Sequence, residues 1–315
     1  MEAMETSLRV LGKEHPDTLT RMSNLATTYR KQGRWMEAEK LEVEVMETNL
    51  EVLGQQHPGT LTSMSNLAST YRDQGRWKEA EELGVKVMET RKRVLGQEHP
   101  GTLISMSSLA STFRNQGLWK KAEELEAEAM KTSSRVLGRG HPGTLTSMSN
   151  LASTYRGQGR WVEAEELEVK VMETSLRVLG QEHPDSLTSI ANLASTYRNQ
   201  GRWKEAEELD VKVMETSLRV LNQGHPNTLA NMANLASTHR SQGRWKEAEE
   251  LDVKVAETRK RVLGREHPDT LASIANLAST YMNQGRWKVS EELKAKVMRR
   301  VTGTRNSGRG PRNWR

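Results

Sequence analysis

A block of 42 residues recurs along this chain without a change of step, and that period constrains the fold more than any other feature. The His-Pro pair returns at His15, His57, His99, His141, His183, His225 and His267, and a Trp returns at Trp35, Trp77, Trp119, Trp161, Trp203, Trp245 and Trp287. Seven of the eight Pro and seven of the eight Trp fall in these two columns, so composition alone does not produce the register. A unit of this length cannot bury its apolar face by itself. Stacked against copies of itself it can, which is the logic of a solenoid. A globular chain of 315 residues would suggest about two domains; the period replaces that expectation with one continuous stack. The mean hydropathy of −0.76 suits a thin array in which every unit lies near solvent.

Each unit reads as two helices. After His-Pro come Asp, Gly or Asn and then Thr or Ser, as at Asp185-Ser186. These residue types favour a helix N-terminus, and Pro biases the residue before it away from helix. Helix A then carries Leu187, Ile190, Leu193, Ala194 and Tyr197 at helical spacing and stops at Asn199-Gln200-Gly201, where Gly supplies a left-handed cap. Helix B starts near Trp203 and spans about 18–20 residues, with Glu toward its start and Lys or Arg toward its end, as the helix dipole favours. Its apolar set is Ala206, Leu209, Val211, Val213, Met214, Leu218, Val220 and Leu221. Short connections force the neighbours to be antiparallel. Small residues at Ala194 and Ala206, and at their copies, let the two helices approach closely. The Trp, Tyr and Met columns read as core packing.

The expected organisation is a partial helix B and connector over residues 1–14, seven units over 15–301 starting near 15, 57, 99, 141, 183, 225 and 267, and a disordered basic tail over 302–315. Opening inside a unit suggests either a piece of a longer array or a stub that caps it, and uncapped ends are candidates for self-association. The formal charge of +6 resides in the last stretch of the chain: without Arg299, Arg300, Arg305, Arg309, Arg312 and Arg315, 41 basic residues face 41 acidic ones. Nucleic-acid binding is therefore expected nowhere except through the Arg-rich tail. No apolar run approaches the roughly 20 residues of a membrane span. The absence of Cys excludes disulfides and thiol chemistry. With no signal-peptide pattern in MEAMETSLRV, the expected location is cytoplasmic.

At Asn192-Leu193-Ala194-Ser195-Thr196-Tyr197, followed by Gln200-Gly201-Arg202-Trp203 and Ala206-Glu207, the unit resembles the tetratricopeptide repeat. The longer period and the LGxxHPxTL connection are similar to the kinesin-light-chain type, and near-identical arrays resemble the repeat regions of fungal NACHT or NB-ARC receptor-like proteins. The resemblance implies an all-α fold, a right-handed α-solenoid of stacked antiparallel helix pairs whose helix A lines a concave groove. One departure stands out. Where the family has a bulky residue, this chain has Glu42, Gly84, Glu126, Glu168, Asp210 and Asp252, and the apolar contact is expected to shift to the Val that follows.

Two polar columns on helix A are the candidate site. One holds Asn66, Asn150, Asn192 and Asn234, interrupted by Ser108; the other holds Arg72, Arg114, Arg156, Arg198 and Arg240, ended by Met282. Asn offers a donor and an acceptor to the main chain of an extended peptide, and Arg offers a fork to carboxylate or phosphate. The alternative is that copied repeats copy their solvated residues and that each Arg pairs with a nearby Glu. The His column does not suit a metal, because equivalent positions lie roughly a helix spacing apart, ~8–10 Å, against ligand distances of about 2 Å. His239, which replaces a Tyr, reads as a groove-edge or core substitution. Catalysis needs a constellation placed once, whereas nearly every polar residue here is present in several equivalent copies. The expected protein is a non-catalytic interaction scaffold without cofactor or metal, binding an extended, acidic peptide. A self-assembling or sensing array within a larger receptor-like protein is the alternative.

Overall fold

In the computed structural model, residues 2–306 are described, with side chains for 4–298. The His-Pro pair opens helix A in each unit: α2 (Pro16–Lys31), α4 (Pro58–Asp73), α6 (Pro100–Asn115), α8 (Pro142–Gly157), α10 (Pro184–Asn199), α12 (Pro226–Ser241) and α14 (Pro268–Asn283). Trp opens helix B: α3 (Trp35–Leu53), α5 (Trp77–Leu95), α7 (Trp119–Val136), α9 (Trp161–Leu179), α11 (Trp203–Leu221), α13 (Trp245–Val262) and α15 (Trp287–Asn306). A leading α1 (Glu2–Leu11) precedes them, and no strand occurs among the described residues. Residues 307–315 of the basic tail lie outside the described residues, and α15 runs to Asn306.

The start of helix A is capped by a residue that the sequence reading left in the connection. His141 takes extended backbone angles, and its Nδ1 accepts from the Gly143 N–H at 3.0 Å, with Pro142 at the first helical position. The same bond recurs from His15 to His267 at 3.0–3.2 Å. Histidine is an uncommon cap, but its ring nitrogen meets the same need as a Ser or Asp oxygen, an acceptor for an orphan N–H. The Thr three positions after His turns backward: Thr60, Thr102 and Thr144 each donate to the carbonyl of the Gly ending the preceding helix B, at 2.8 Å. That carbonyl belongs to a left-handed residue, such as Gly96 at φ 90°. Asn222 takes the same backbone conformation at φ 73°, as the one non-glycine residue of positive φ among the described residues.

The chain divides into two units inside α9, one ending at Thr174 and the other beginning at Ser175. In the first, successive helices from α1 to α8 pack as antiparallel neighbours, and so do α10 to α15 in the second. Helix A also touches helix A of the next repeat, α2 on α4, α4 on α6 and α6 on α8 in the first unit, and α10 on α12 in the second. No pair of successive B helices packs to that extent among the described residues, so within each unit the A helices form the inner layer.

The layers meet on small residues. Ala38, Ala80, Ala122, Ala164, Ala206 and Ala248 of helix B are wholly buried, as are Ala26, Ala110, Ala152, Ala194, Ala236 and Ala278 of helix A. Leu and Met of helix A then pack on a buried Val of helix B, as Leu229 and Met232 do on Val255. The buried stripe of α11 is Ala206, Asp210, Val213 and Ser217, spaced 4-3-4 on one helical face. The acid itself therefore stays on the buried face and the apolar contact moves to the Val three residues later, not to the adjacent Val211, which is half-buried, while Val220 is exposed.

The Trp column is not core. Trp77, Trp203 and Trp287 are exposed and the other four half-buried, because Trp sits at the first position of helix B on the rim of the turn. Its ring lies against the next repeat: a Cβ at Gly157 would run into Trp119. The Tyr column is half-buried and faces the turn Arg, with Arg76 4.1 Å above the Tyr71 ring and Arg34 4.0 Å above Tyr29. Among the described residues, no helix is long and apolar enough to cross a membrane.

Candidate functional site

The two candidate columns lie on the same inner helices but do different work. Arg198 of α10 points into the stack. Its Nη1 reaches Asp210 Oδ2 of α11 at 2.7 Å, and Thr238 of α12 donates to the same oxygen at 2.5 Å. The Arg198 side chain is 12% exposed and Asp210 only 1%. One carboxylate thus ties helix A, helix B and the next helix A together. Arg240, Asp252 and Thr280 repeat the clasp at 2.6 Å for both bonds, and Arg114, Glu126 and Thr154 repeat it in the first unit. Arg156 pairs with Glu168 at 3.4 Å.

The acidic column, which departs from the family pattern, is therefore the partner of the Arg column, twelve residues on. Burial pushes the Glu126 and Asp210 carboxyls up from their ordinary values, while the Arg and Thr of each clasp pull them back. The clasps thus oppose the effect of burial on these carboxyls. They also balance the positive charge of Arg114, Arg156, Arg198 and Arg240 internally, so at those levels the wall is nearly neutral. The last repeat loses both columns together: Met282 stands for Arg, Lys294 stands for the acid, and the two touch at 3.4 Å.

The first repeat is a strained version of the clasp. Arg30 leans to Asp73, with Nε 3.7 Å from its Oδ2, and both Glu42 oxygens are left buried without a hydrogen bond. Burial raises the Glu42 pKa, opposed by Thr70 and Arg30. A raised carboxylate favours the folded state below its unfolded value, near 4.5, and that contribution is lost as pH rises through the folded value. Glu42→Gln should therefore flatten the decline of stability above the ordinary glutamate range. In urea unfolding followed across pH it should gain about 1 kcal/mol at neutral pH.

The Asn column is different. Asn66, Asn150 and Asn234 are half-buried, and their side chains make no hydrogen bond among the described residues. Asn192 has its own partner. Their neighbours are small: the Ser65 hydroxyl folds back onto the Leu61 carbonyl at 2.8 Å and Ser69 onto Ser65 at 3.0 Å, which keeps the surface beside Asn66 open. The free amides of Asn66, Asn150 and Asn234 thus lie on the same helices as guanidinium groups that, at Arg114, Arg156, Arg198 and Arg240, are satisfied internally.

His239 is buried in α12 at the Tyr position, its Nδ1 without a hydrogen bond and 3.9 Å from Glu207 Oε1. Burial lowers its pKa, aided by Arg244 and opposed by Glu207. It is a core substitution.

A second latch fastens the turns. In the first unit Gln74 and Arg76 both grip Glu39 of the preceding helix B, at 2.8 and 2.7 Å, while Arg76 also holds Glu79. Gln158 and Arg160 hold Glu123 in the same way. These partly exposed pairs keep Glu79, Glu123 and Glu163 below the ordinary carboxylate range.

An all-α stack of helix hairpins, each closed by a small residue at the crossing and a Gly-Arg-Trp turn (Gly117-Leu118-Trp119 in the third), defines the class as an α-solenoid of hairpin repeats. The tetratricopeptide repeat model matches residues 18–59, 60–101, 102–143 and 144–185, and a second tetratricopeptide model matches 185–252 and 228–303. The chain belongs to the tetratricopeptide-repeat family.

It is similar to two crystal structures of the nearly identical TPR-like repeats of a Podosopora anserina kinesin light chain candidate. These are 32% and 33% identical, with TM-scores of 0.56 and 0.54, and each comparison covers 66% of this chain and 98% of the other. At 19% identity, BtubC (BKLC) from P. vanneervenii shares the fold, with a TM-score of 0.56 over 76% of this chain and 93% of that one. A signal-transduction ATPase of the STAND class with a tetratricopeptide repeat sensor, from Pyrococcus horikoshii, shares it at 14% identity and a TM-score of 0.57, over 91% of this chain and 42% of that one. No curated protein matches.

Proposed function

We propose that this chain is a non-catalytic protein–protein interaction scaffold that holds an extended partner segment along its inner helices. The observation that carries the reading is the Asn column. Half-buried amides without internal partners recur along α4 and α8 in the first unit and α12 in the second, on the layer where A helices pack on one another. An amide with a free donor and a free acceptor matches the main chain of an extended peptide, whatever its side chains are. Small Ser neighbours leave room for that backbone. Membership of the tetratricopeptide-repeat family supports the same reading.

The clasps alter the chemistry of the partner. Four of the five candidate Arg are matched by buried acids, so the wall recognises main chain first, and its preference for acidic side chains is concentrated where a match is missing. A peptide-array screen with the whole chain would supply a ligand. The double variant Asn66→Ala/Asn150→Ala should then weaken binding by about tenfold, two lost hydrogen bonds of roughly 0.5–1.5 kcal/mol each, without changing helical content by circular dichroism. Undiminished binding would exclude the Asn face.

A further inference from the structure

Only one level of the stack has an Arg without its acid. Arg30, Arg114, Arg156, Arg198 and Arg240 each have Glu or Asp twelve residues later, and Met282 has lost the Arg and the acid together; Arg72 keeps its guanidinium although the partner position is Gly84. The third member of the clasp is also present, since Thr112 of α6 is equivalent to Thr154 and Thr238 and is buried like them. Thr112 Oγ1 keeps the 3.3 Å bond to the carbonyl four residues back, here Ser108, that Thr238 and Thr280 also make, but has no carboxylate as its second partner. Arg72 makes no ion pair or side-chain hydrogen bond among the described residues. The nearest acid on its own helix, Asp73, is engaged by Arg30.

Gly84 also leaves space. A cavity of about 20 Å³ lies between α4 and α6 over α5, with Arg72, Gly84, Ser108 and Thr112 in its wall. That is room for about one water-sized body, or for the oxygen end of a carboxylate. Ser108, which replaces the Asn of the column and is exposed, opens the same spot toward the inner face. Burial lowers the pKa of Arg72, opposed by Asp73 and aided by Arg30 and Arg114, so an added negative charge would be stabilising here.

We propose that Arg72, Gly84 and Thr112 form a carboxylate socket, in which an Asp or Glu side chain of the bound partner supplies the acid that other repeats carry in helix B. The inference rests on the scaffold reading for its occupant. The chemistry of the socket is shared by free formate, and it is specific to this repeat. It positions an acidic side chain at one level of the stack, so it would set the register of the partner segment.

The test uses the whole chain and sodium formate against sodium chloride at equal ionic strength, observing the Arg72 side-chain Nε–Hε signal by NMR. Formate should shift that signal saturably and chloride should not. Gly84→Glu places a carboxylate in the socket and should abolish the response; the incoming Cβ meets only the flexible end of Leu109, at 3.1 Å. Arg72→Met, which adds no acid, should abolish formate-dependent protection against thermal unfolding. A peptide with one Asp in a Gly/Ser/Ala context should bind at least about tenfold tighter than its Asn counterpart, and formate should compete with it. No formate response at Arg72, or one unchanged in Gly84→Glu, would overturn the socket. A formate response with equal Asp and Asn peptides would overturn the partner carboxylate as occupant. If the whole chain binds no peptide of the array while formate still binds, the scaffold reading fails and the socket stands; if the Asn variants leave peptide binding unchanged, only the Asn face fails.

Discussion

Arg114→Ala should destabilise the array by about 3–5 kcal/mol, the cost of leaving a buried carboxylate without its counter-charge. Glu126 is fully buried at the centre of the clasp, receiving Arg114 from α6 and Thr154 from α8. Removing the guanidinium strands that charge at the junction of three helices, and burial already raises its pKa. The loss should be largest at neutral and alkaline pH and should shrink as acid protonates Glu126, because the neutral carboxyl needs no counter-charge. Replacing both partners by apolar residues, Arg114→Met with Glu126→Leu, should recover most of the stability, since a matched apolar pair avoids the desolvation cost. Urea unfolding of the single and double variants measures both effects. A double variant as unstable as the single would mean that the clasp contributes through geometry and not charge.

Ala236→Leu should cost about 1–3 kcal/mol and leave helical content below the unfolding transition unchanged. Ala236 and Ala248 are both 0% exposed where α12 crosses α13. Three added carbons there must either separate the helices or force their neighbours off their rotamers. Because repeats contact mainly their neighbours, the damage should be local: hydrogen exchange should accelerate in α12 and α13 and remain slow in α4 and α5. Uniform acceleration across all helices would contradict a stack held together by nearest-neighbour contacts.

Much of this fold was legible because 42-residue copying repeats every signal several times. The Pro, the glycine caps and the paired Ala columns mark helix ends and crossings at positions the structure reproduces. Other features were hidden for physical reasons. His141 caps a helix through a ring nitrogen, and propensity arguments assign that task to oxygen-bearing side chains. Trp119 reads as core packing from its spacing at the turn, but a residue at the first position of helix B lies on the rim of that turn, half-buried.

The candidate site was legible only in part. Asn66, Asn150 and Asn234 sit on the inner helices, and their side chains make no hydrogen bond among the described residues. The Arg column was visible and so was the acidic column, but their pairing depends on a helix crossing that brings positions twelve apart together. The signal available was their joint loss at Met282 and Lys294. That same comparison isolates Arg72, whose partner position is glycine.

The most direct measurement of the central claim, that paired Arg residues hold repeats together while the unmatched one is free for a partner, is the urea midpoint of Arg72→Ala beside Arg198→Ala. Arg198→Ala should fall well below the parent chain, because Asp210 loses its counter-charge, and Arg72→Ala should match or exceed the parent, because no buried acid depends on it. Equal losses in the two variants would contradict the account.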